Sequence, residues 1–267
     1  MKIEWSELPE SIQHYKPQVL PTKKSVISLS LSPAEDLTLW QSKVGGSPYL
    51  PVHADHPRTT DGRALMLLAQ INCAELPDNE DYPKTGILQF FIDVEDDLYG
   101  LNFDEPQTQD GFRVIYHADV VEDNAQLQQH FPHADLDQNM SPVTGQYAVQ
   151  FATQERYISI GDHAFADQVF DPYVLDDDSA EEIYDEYDDV FSASGHHLGG
   201  YPYFTQDDPR GHDERFKDYI LLFQLDTSDQ DNVQIMWGDA GVANFFIHPD
   251  DLKNRDFSKV MYNWDCS

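Results

Sequence analysis

Residues 86–98 read GILQFFIDVEDDL and residues 241–252 read GVANFFIHPDDL, so one phrase occurs twice, more than 150 positions apart. Three other blocks repeat in the same order. VGGSPY at 44–49 matches LGGYPY at 198–203, LLAQIN at 67–72 matches LLFQLD at 221–226, and RVIYHAD at 113–119 matches KVMYNWD at 259–265. Repetition at a nearly fixed period indicates repeated structural units. We therefore predict an internal duplication, with repeats at residues 44–119 and 198–265.

Each copy predicts three strands. The LLxQ and FFI blocks are short apolar runs bounded by turn residues, which is typical of largely buried strands, and the third block is rich in β-branched and aromatic residues. The GGxPY segment predicts a turn in which glycine permits positive φ. After the second FFI block, Pro249 and Asp250 favour a first helical turn. The prediction is an α+β, β-rich fold, in which two β-meander repeats form one pseudo-two-fold globule across residues 1–267.

The connecting region, residues 120–197, predicts a strand and an acidic helix. The strand is QYAVQFA at 146–152. Ser179 followed by Glu182 fits a capping box, and the helix is expected to end near Gly195. An apolar stripe at helical spacing consists of Ile183, Tyr184, Tyr187, Val190 and Phe191.

The opposite face of this predicted helix collects carboxylates, namely Glu182, Asp185, Glu186 and Asp189. Their mutual repulsion opposes helix formation unless the apolar stripe is well packed or a cation lies nearby. Two interpretations follow. The face is either an ordinary solvated surface or a docking surface for a basic protein partner.

Charge restricts the partners. Sixteen Lys and Arg residues against 49 Asp and Glu residues give a formal net charge of −33. Such a field repels phosphate backbones and anionic lipids, so we expect neither nucleic acid nor membrane surfaces as partners, whereas cationic proteins are favoured. The alternative is that acidity serves solubility or reflects a saline host. Because the chain carries only two cysteines and shows no run of about 18 apolar residues and no signal-peptide pattern, we expect a cytoplasmic location.

Several phrases carry a family resemblance. SKVGGSP at 42–48, MLLAQIN at 66–72, GILQFFI at 86–92 and above all MWGDAG at 236–241 resemble the YwqG-like family, a domain of unknown function. One departure is His56–Pro57, where members often carry Trp-Pro. The resemblance implies a duplicated, β-rich α+β fold without established catalytic residues. It also implies a bacterial protein, since some members lie beside bacterial polymorphic toxin systems as candidate immunity proteins.

Motifs for metal or nucleophilic chemistry are weak. His53 with His56, and His130 with His133, have HxxH spacing, but prolines interrupt both segments. The acidic run DVEDD at 93–97 lacks the Gly and the bidentate Glu of an EF-hand loop. Cys73 follows a buried strand and is expected to be a packed side chain. Because the GxSxG, P-loop and GxGxxG motifs are missing from the sequence, we expect no catalytic nucleophile, no metal and no cofactor.

One constellation remains as a possible ligand pocket in the second repeat. It comprises Gln206, Asp207, Arg210, Gln224, Trp237 and Asp239. In the first repeat only Gln70 and the aromatic Tyr82 correspond. The structural alternative is that Gln70 and Gln224 bond to neighbouring backbone and that Trp237 is core.

Two functions of different classes follow. The favoured one is a non-enzymatic protein-binding module, of immunity or antitoxin type, that captures a basic toxin or effector through its acidic surface. The other is a hydrolase or metal-dependent enzyme with a site near Asp207, His212 and Asp239. The sequence leaves the oligomeric state open.

Overall fold

The computed structural model describes residues 4–132, 140–171 and 177–267. Its described part contains ten β-strands, all paired in antiparallel fashion in one sheet. They are β1 (Lys24–Pro33), β2 (Lys43–Gly45), β3 (Met66–Asn72), β4 (Ile87–Ile92), β5 (Phe112–His117), β6 (Gln146–Arg156), β7 (His197–Leu198), β8 (Ile220–Asp226), β9 (Val242–Ile247) and β10 (Met261–Asp265). The chain is therefore sheet-rich, with few helices.

The strand order is symmetric about its centre. It runs β10-β9-β8-β7-β1-β6-β2-β3-β4-β5, so β1 and β6 form the central pair and four strands flank each of them. β1 pairs with β7 from the later part of the chain, whereas β6 pairs with β2 from the earlier part. The strand predicted at 146–152 is confirmed within β6. It lies at the centre of the sheet, a position that its place in the connecting region did not predict, and β1 was not predicted.

The two predicted meanders are confirmed as β3-β4-β5 and β8-β9-β10. Their registers shift at the same place, between Leu67 and Ala69 in one and between Leu221 and Phe223 in the other, at an offset of 154. The match of the third strands is corrected. His117 pairs with Ile87 and Asp265 pairs with Val242, so the residues that pair with the first residues of β4 and β9 are 148 positions apart, whereas the sequence blocks matched residues 146 apart.

The predicted glycine turns are confirmed. Gly46 and Gly200 follow β2 and β7 with φ of +73° and +81°. A Cβ on Gly46 would lie 2.1 Å from the side chain of Gln146, and a Cβ on Gly200 would lie 2.3 Å from that of Val26. Both glycines are therefore needed for conformation and for close approach to the central strands.

The main core lies between the two arms of the sheet, which are strands β7, β8, β9 and β10 on one side of the central pair and strands β2, β3, β4 and β5 on the other. The ring of Phe90 on β4 lies 4.7 Å from Phe223 and 4.8 Å from Phe245, centroid to centroid, and Phe112 lies 5.1 Å from Tyr262. β4 and β9 bury every side chain. Strands buried on both faces read as continuous apolar runs, which is why the FFI blocks lack alternation.

Five α-helices occur in the described residues. They are α1 (Glu10–Gln13), α2 (Lys16–Val19), α3 (Phe165–Gln168), α4 (Asp177–Phe191) and α5 (Pro249–Asn254). α5 confirms the turn of helix predicted after the second FFI block. α4 is the predicted acidic helix, but it begins at Asp177, so Ser179 lies inside it rather than at its N-cap. It also ends at Phe191, before Gly195.

A second apolar cluster joins α4 to the N-terminal helices. Ile12 and Val19 from α1 and α2 pack with Phe165, Tyr187 and Phe191. None of the helices in the described ranges has the length and apolar character that crossing a membrane requires.

Candidate functional site

Four of the five residues of the predicted apolar stripe pack α4 against the second apolar cluster, whereas Tyr184 is 45 % exposed. Tyr187 is fully buried, its hydroxyl donates to the carbonyl of Ile158 at 2.9 Å, and its ring packs on Phe165 and Phe191. Burial raises the pKa of the Tyr187 hydroxyl, so it remains a hydrogen-bond donor. The packing condition for an anionic helix is therefore met without a cation.

The opposite face presents its carboxylates unequally. Glu182, Asp185 and Asp189 are exposed, whereas Glu186 is half-buried and accepts a hydrogen bond from the hydroxyl of Ser11 on α1. Burial, with the neighbouring Asp189 and Asp185, raises the pKa of Asp188 at the edge of this face. Three of the four predicted carboxylates are thus exposed on this face, and the fourth joins α4 to α1.

Gln224 and Trp237, two members of the possible ligand pocket, are buried in the interior of the protein. Gln224 is fully buried, its amide nitrogen donates to the carbonyls of Ala193 and Gly195, and its oxygen accepts from the backbone N–H of Tyr203. Trp237 is also fully buried. These contacts match the structural alternative for both residues.

Three other members of that constellation lie at the surface. Gln206, Asp207 and Asp239 are exposed, and the Gln206 side chain donates to the carbonyl of Cys266. None of the six predicted pocket residues lines the cavity of about 670 Å³ beside Tyr82 and Gly199. The structure therefore distributes these residues instead of bringing them together around that cavity.

Arg210, the sixth member, is the centre of a buried ionic cluster. Its guanidinium group donates to Asp208 Oδ1 and Oδ2 at 3.0 and 2.6 Å, to Asp162 Oδ2 at 2.9 Å and to the carbonyl of Tyr219 at 2.8 Å. The two aspartates and the arginine are all less than a tenth exposed. The cluster ties the loop before α3 to the 3₁₀ turn at Pro209–His212.

Asp162, His163 and Asp208 also place ligand atoms within 4.8 Å of one another, close enough to share a metal ion. Their existing bonds oppose that role. Asp208 Oδ2 already accepts from the backbone N–H of His163 as well as from Arg210, and Asp162 Oδ1 accepts from the N–H of Ala164. A cation there would have to displace a bonded guanidinium group, so the residues fit an ion-pair cluster better than a metal centre.

The metal-dependent alternative named different residues. Asp207, His212 and Asp239 are all exposed, and none belongs to that cluster. Sequence reasoning missed Asp162 and Asp208. Asp208 is adjacent to the chosen Asp207, but its burial depends on Arg210 and Tyr219, which no local pattern indicates.

Most residues of the weak metal and nucleophile motifs lie in the described part of the chain, where ordinary structural contacts account for them. His53 and His56 lie outside any helix, and a ring nitrogen of His56 lies 2.8 Å from the carbonyl of Leu65. His133, half of the second HxxH pair, lies outside the described residues. Asp93 is buried in a 2.7 Å ion pair with Arg63, and burial raises the pKa of the Cys73 thiol to about 12.

A family model matches most of the chain. A family model described as a domain of unknown function, DUF1963, matches residues 42–266. This range contains α4, the ionic cluster and every strand except β1. A search of curated proteins finds no match.

Proposed function

The chain belongs to the DUF1963 family, a domain of unknown function, and we propose that within it this is a YwqG-like, non-enzymatic protein-binding module. Its partner is a basic protein, of the toxin or effector class, captured by the exposed carboxylates of α4. The one observation that carries the proposal is the exposure of Glu182, Asp185 and Asp189 on one face of a helix whose other face buries Tyr187 and Phe191. The net charge of −33 adds a long-range field of the same sign.

The physical advantage of this arrangement is speed of capture. Complementary charge raises association rates from about 10⁵–10⁶ to as much as about 10⁸–10⁹ M⁻¹s⁻¹ at low salt. Because the backbone of the helix is already ordered, little backbone freedom is lost on binding. Such a surface needs no catalytic geometry.

The internal duplication belongs to the same proposal. We infer that residues 24–119 and 146–265 are the two copies, which extends the predicted repeats to include β1 and β6. The inference is supported by the four matched sequence blocks, the symmetric strand order and the matched register shifts of β3 and β8. The acidic helix has no counterpart in the described part of the first copy, so it was added to a repeated framework.

The test begins with an affinity pull-down from the native host, followed by association kinetics with the basic protein recovered. The variant converts four carboxylates to amides: Glu182→Gln, Asp185→Asn, Glu186→Gln and Asp189→Asn. We expect association to slow by about tenfold or more at low salt, and to change little near 1 M salt, where the Debye length is about 3 Å. The expected cause is lost steering, so folding should be preserved.

A matched variant removes the same charge elsewhere, at exposed positions outside α4: Glu95→Gln, Asp97→Asn, Glu122→Gln and Asp229→Asn. This variant should retain most of the wild-type rate at low salt. Equal slowing by both variants would mean that net charge, not α4, drives capture. An unchanged rate in the α4 variant would remove the helix from the interface.

A further inference from the structure

A cavity of about 490 Å³ lies at the end of β5, apart from the acidic helix. Its lining includes Tyr49, His53, Tyr116, His117 and Asp119. This volume falls in the range of small-ligand sites, about 300–1,000 Å³. The state of the His117 ring determines what this cavity can bind, and hydrogen bonds to the backbone fix that state.

The hydrogen bonds begin at Gln70 on β3. Its amide nitrogen donates to the carbonyls of Leu39 and Gln41, both at 2.8 Å, and its oxygen accepts from the backbone N–H of Tyr49 at 2.7 Å. Carbonyl groups only accept and backbone N–H groups only donate. The Gln70 amide therefore has a single allowed orientation.

Gln89 on β4 is oriented in turn. Its amide nitrogen donates to Gln70 Oε1 at 2.8 Å and to the carbonyl of Tyr49 at 2.9 Å, which leaves its oxygen 3.0 Å from Nε2 of His117. Because an amide oxygen only accepts, Nε2 of His117 must carry the proton. Burial lowers the pKa of His117, so at neutral pH the ring is uncharged and Nδ1 has a free lone pair.

Nδ1 of His117 makes no hydrogen bond within the described residues. The corresponding place in the other arm is different. Asn244 on β9 also donates to a tyrosine carbonyl, that of Tyr203 at 2.8 Å, but its oxygen is buried without a partner, and Asp265 takes the place of His117. The fold is therefore built without this histidine in one arm, so His117 is not required by the sheet.

We propose that this cavity binds a small organic cation with N–H donors, a guanidinium or primary ammonium group. One N–H of the ligand donates to Nδ1 of His117, and the carboxylate of Asp119 on the cavity lining balances the positive charge. Tyr49 is fully buried, and its ring packs against the His117 ring with the two centroids 5.1 Å apart. The net charge of −33 favours cations at this site. The site is independent of the proposed partner surface on α4.

The first measurement is the tautomer of His117 in the full chain, from ¹⁵N chemical shifts and two-bond couplings of the imidazole ring. The Nε2–H form is expected, with an unprotonated Nδ1 at pH 7. In Gln89→Met this preference should weaken, whereas Asn244→Met, a buried change at the matching position of the other arm, should preserve it. An Nδ1–H form in the wild-type protein would overturn the proposal, whether or not either variant folds.

The second measurement titrates the wild-type chain and its variants with ethylguanidinium, followed at the backbone amide resonances of residues 116–119, which line the cavity. Tetramethylammonium is the control, since it has the charge but no N–H donor. We expect saturable shifts with ethylguanidinium, at least about tenfold weaker binding in Asp119→Asn and in His117→Phe, and at least tenfold weaker binding of tetramethylammonium. Equal affinity for both cations, or no saturable shift, would overturn the proposal. Neither result bears on α4, because no protein partner is used.

Discussion

Lys43 is an ammonium group in the interior of the protein. It is fully buried on β2, and its Nζ donates to the carbonyls of Thr38 at 2.7 Å and Ser47 at 3.2 Å. His197 occupies the corresponding position on β7, with its ring nitrogens 3.0 Å from the carbonyls of Ala193 and Gly199. Lys43 thus joins the loops on both sides of a short strand, whereas a neutral His197 ring donates to only one of its two carbonyls. Burial lowers the pKa of Lys43 to about 8 and that of His197 to about 3.

The lowered pKa of Lys43 predicts a stability that rises with pH. Between pH 8 and its unfolded pKa of 10.5, the unfolded chain holds the proton that the folded chain has released, so the free energy of unfolding increases with pH. One proton contributes at most about 1.4 kcal/mol per pH unit. Urea unfolding at pH 8, 9 and 10 should show wild type gaining stability relative to Lys43→Met across this interval.

Lys23→Met is the control for that measurement. Lys23 is exposed and its hydrogen bond to Glu155 raises its pKa, so its removal should not reduce the gain between pH 8 and 10. Parallel pH profiles for wild type and Lys43→Met would show that the ammonium of Lys43 titrates normally in the folded protein.

Single residues also mark the limit of sequence reasoning. Gln70 and Gln224 were recognisable because a polar side chain within an apolar strand needs a buried partner. Gln89 carries the same signal inside GILQFFI, yet its importance lies in orienting His117, 28 positions away. That consequence depends on the direction of two amide groups, which no spacing indicates.

At the level of elements, the acidic helix was predictable because its apolar residues recur at helical spacing. The attachment of this helix to α1 was not predictable. Glu186 belongs to the charged face by periodicity, but the neighbouring α1 brings Ser11 to it. The long strand β1 was not predicted for a related reason, and neither was the central place of β6. KSVISLSLSP has an alternating pattern that fits a strand, but nothing in it specifies partners as distant as β6 and β7.

The attachment of α4 can be tested at Tyr187. Tyr187→Phe keeps the packed ring but leaves the carbonyl of Ile158 without its donor, which should cost about 1–3 kcal/mol. Because the contact holds one helix, amide exchange should accelerate mainly at residues 182–191 and much less in β3, β4, β8 and β9. Hydrogen–deuterium exchange with peptide resolution measures this difference.

Tyr15→Phe is the matched change for this element. Tyr15 stacks on Phe170 in the same apolar cluster, and within the described residues its hydroxyl makes no hydrogen bond. The exchange pattern of Tyr15→Phe should resemble that of the wild-type protein. Uniformly faster exchange throughout the sheet in Tyr187→Phe would mean that α4 unfolds only together with the whole protein.

At the level of the whole molecule, the halves are interlaced. β1 lies between β6 and β7, and β2 depends on β6 for one of its two neighbours. Residues 1–119 alone would therefore leave β1 without a partner on either side, and would expose the β4 side chains that pack on β8 and β9. This arrangement supports the proposal of a single domain.

The corresponding prediction concerns fragments. Residues 1–119 and residues 120–267 should each lack a cooperative calorimetric transition, because each half lacks its central strand partner and half of the main core. Mixed in equal amounts, or produced together, they should recover a transition and near-ultraviolet aromatic dichroism. A cooperative transition in residues 1–119 alone would contradict the single-domain proposal.

The central position of β1 also determines when this strand can pair during synthesis of the chain. Ile27 pairs with Thr153 on one side and with Leu198 on the other, so β1 emerges from the ribosome long before either partner. At about 5–20 residues per second, the interval before Leu198 appears is roughly 10–30 seconds. During that interval an unpaired strand must be kept from pairing with other chains. β1 gains both of its neighbours only after nearly three-quarters of the chain has been made, so residues 24–33 need protection from other chains for most of the time of synthesis.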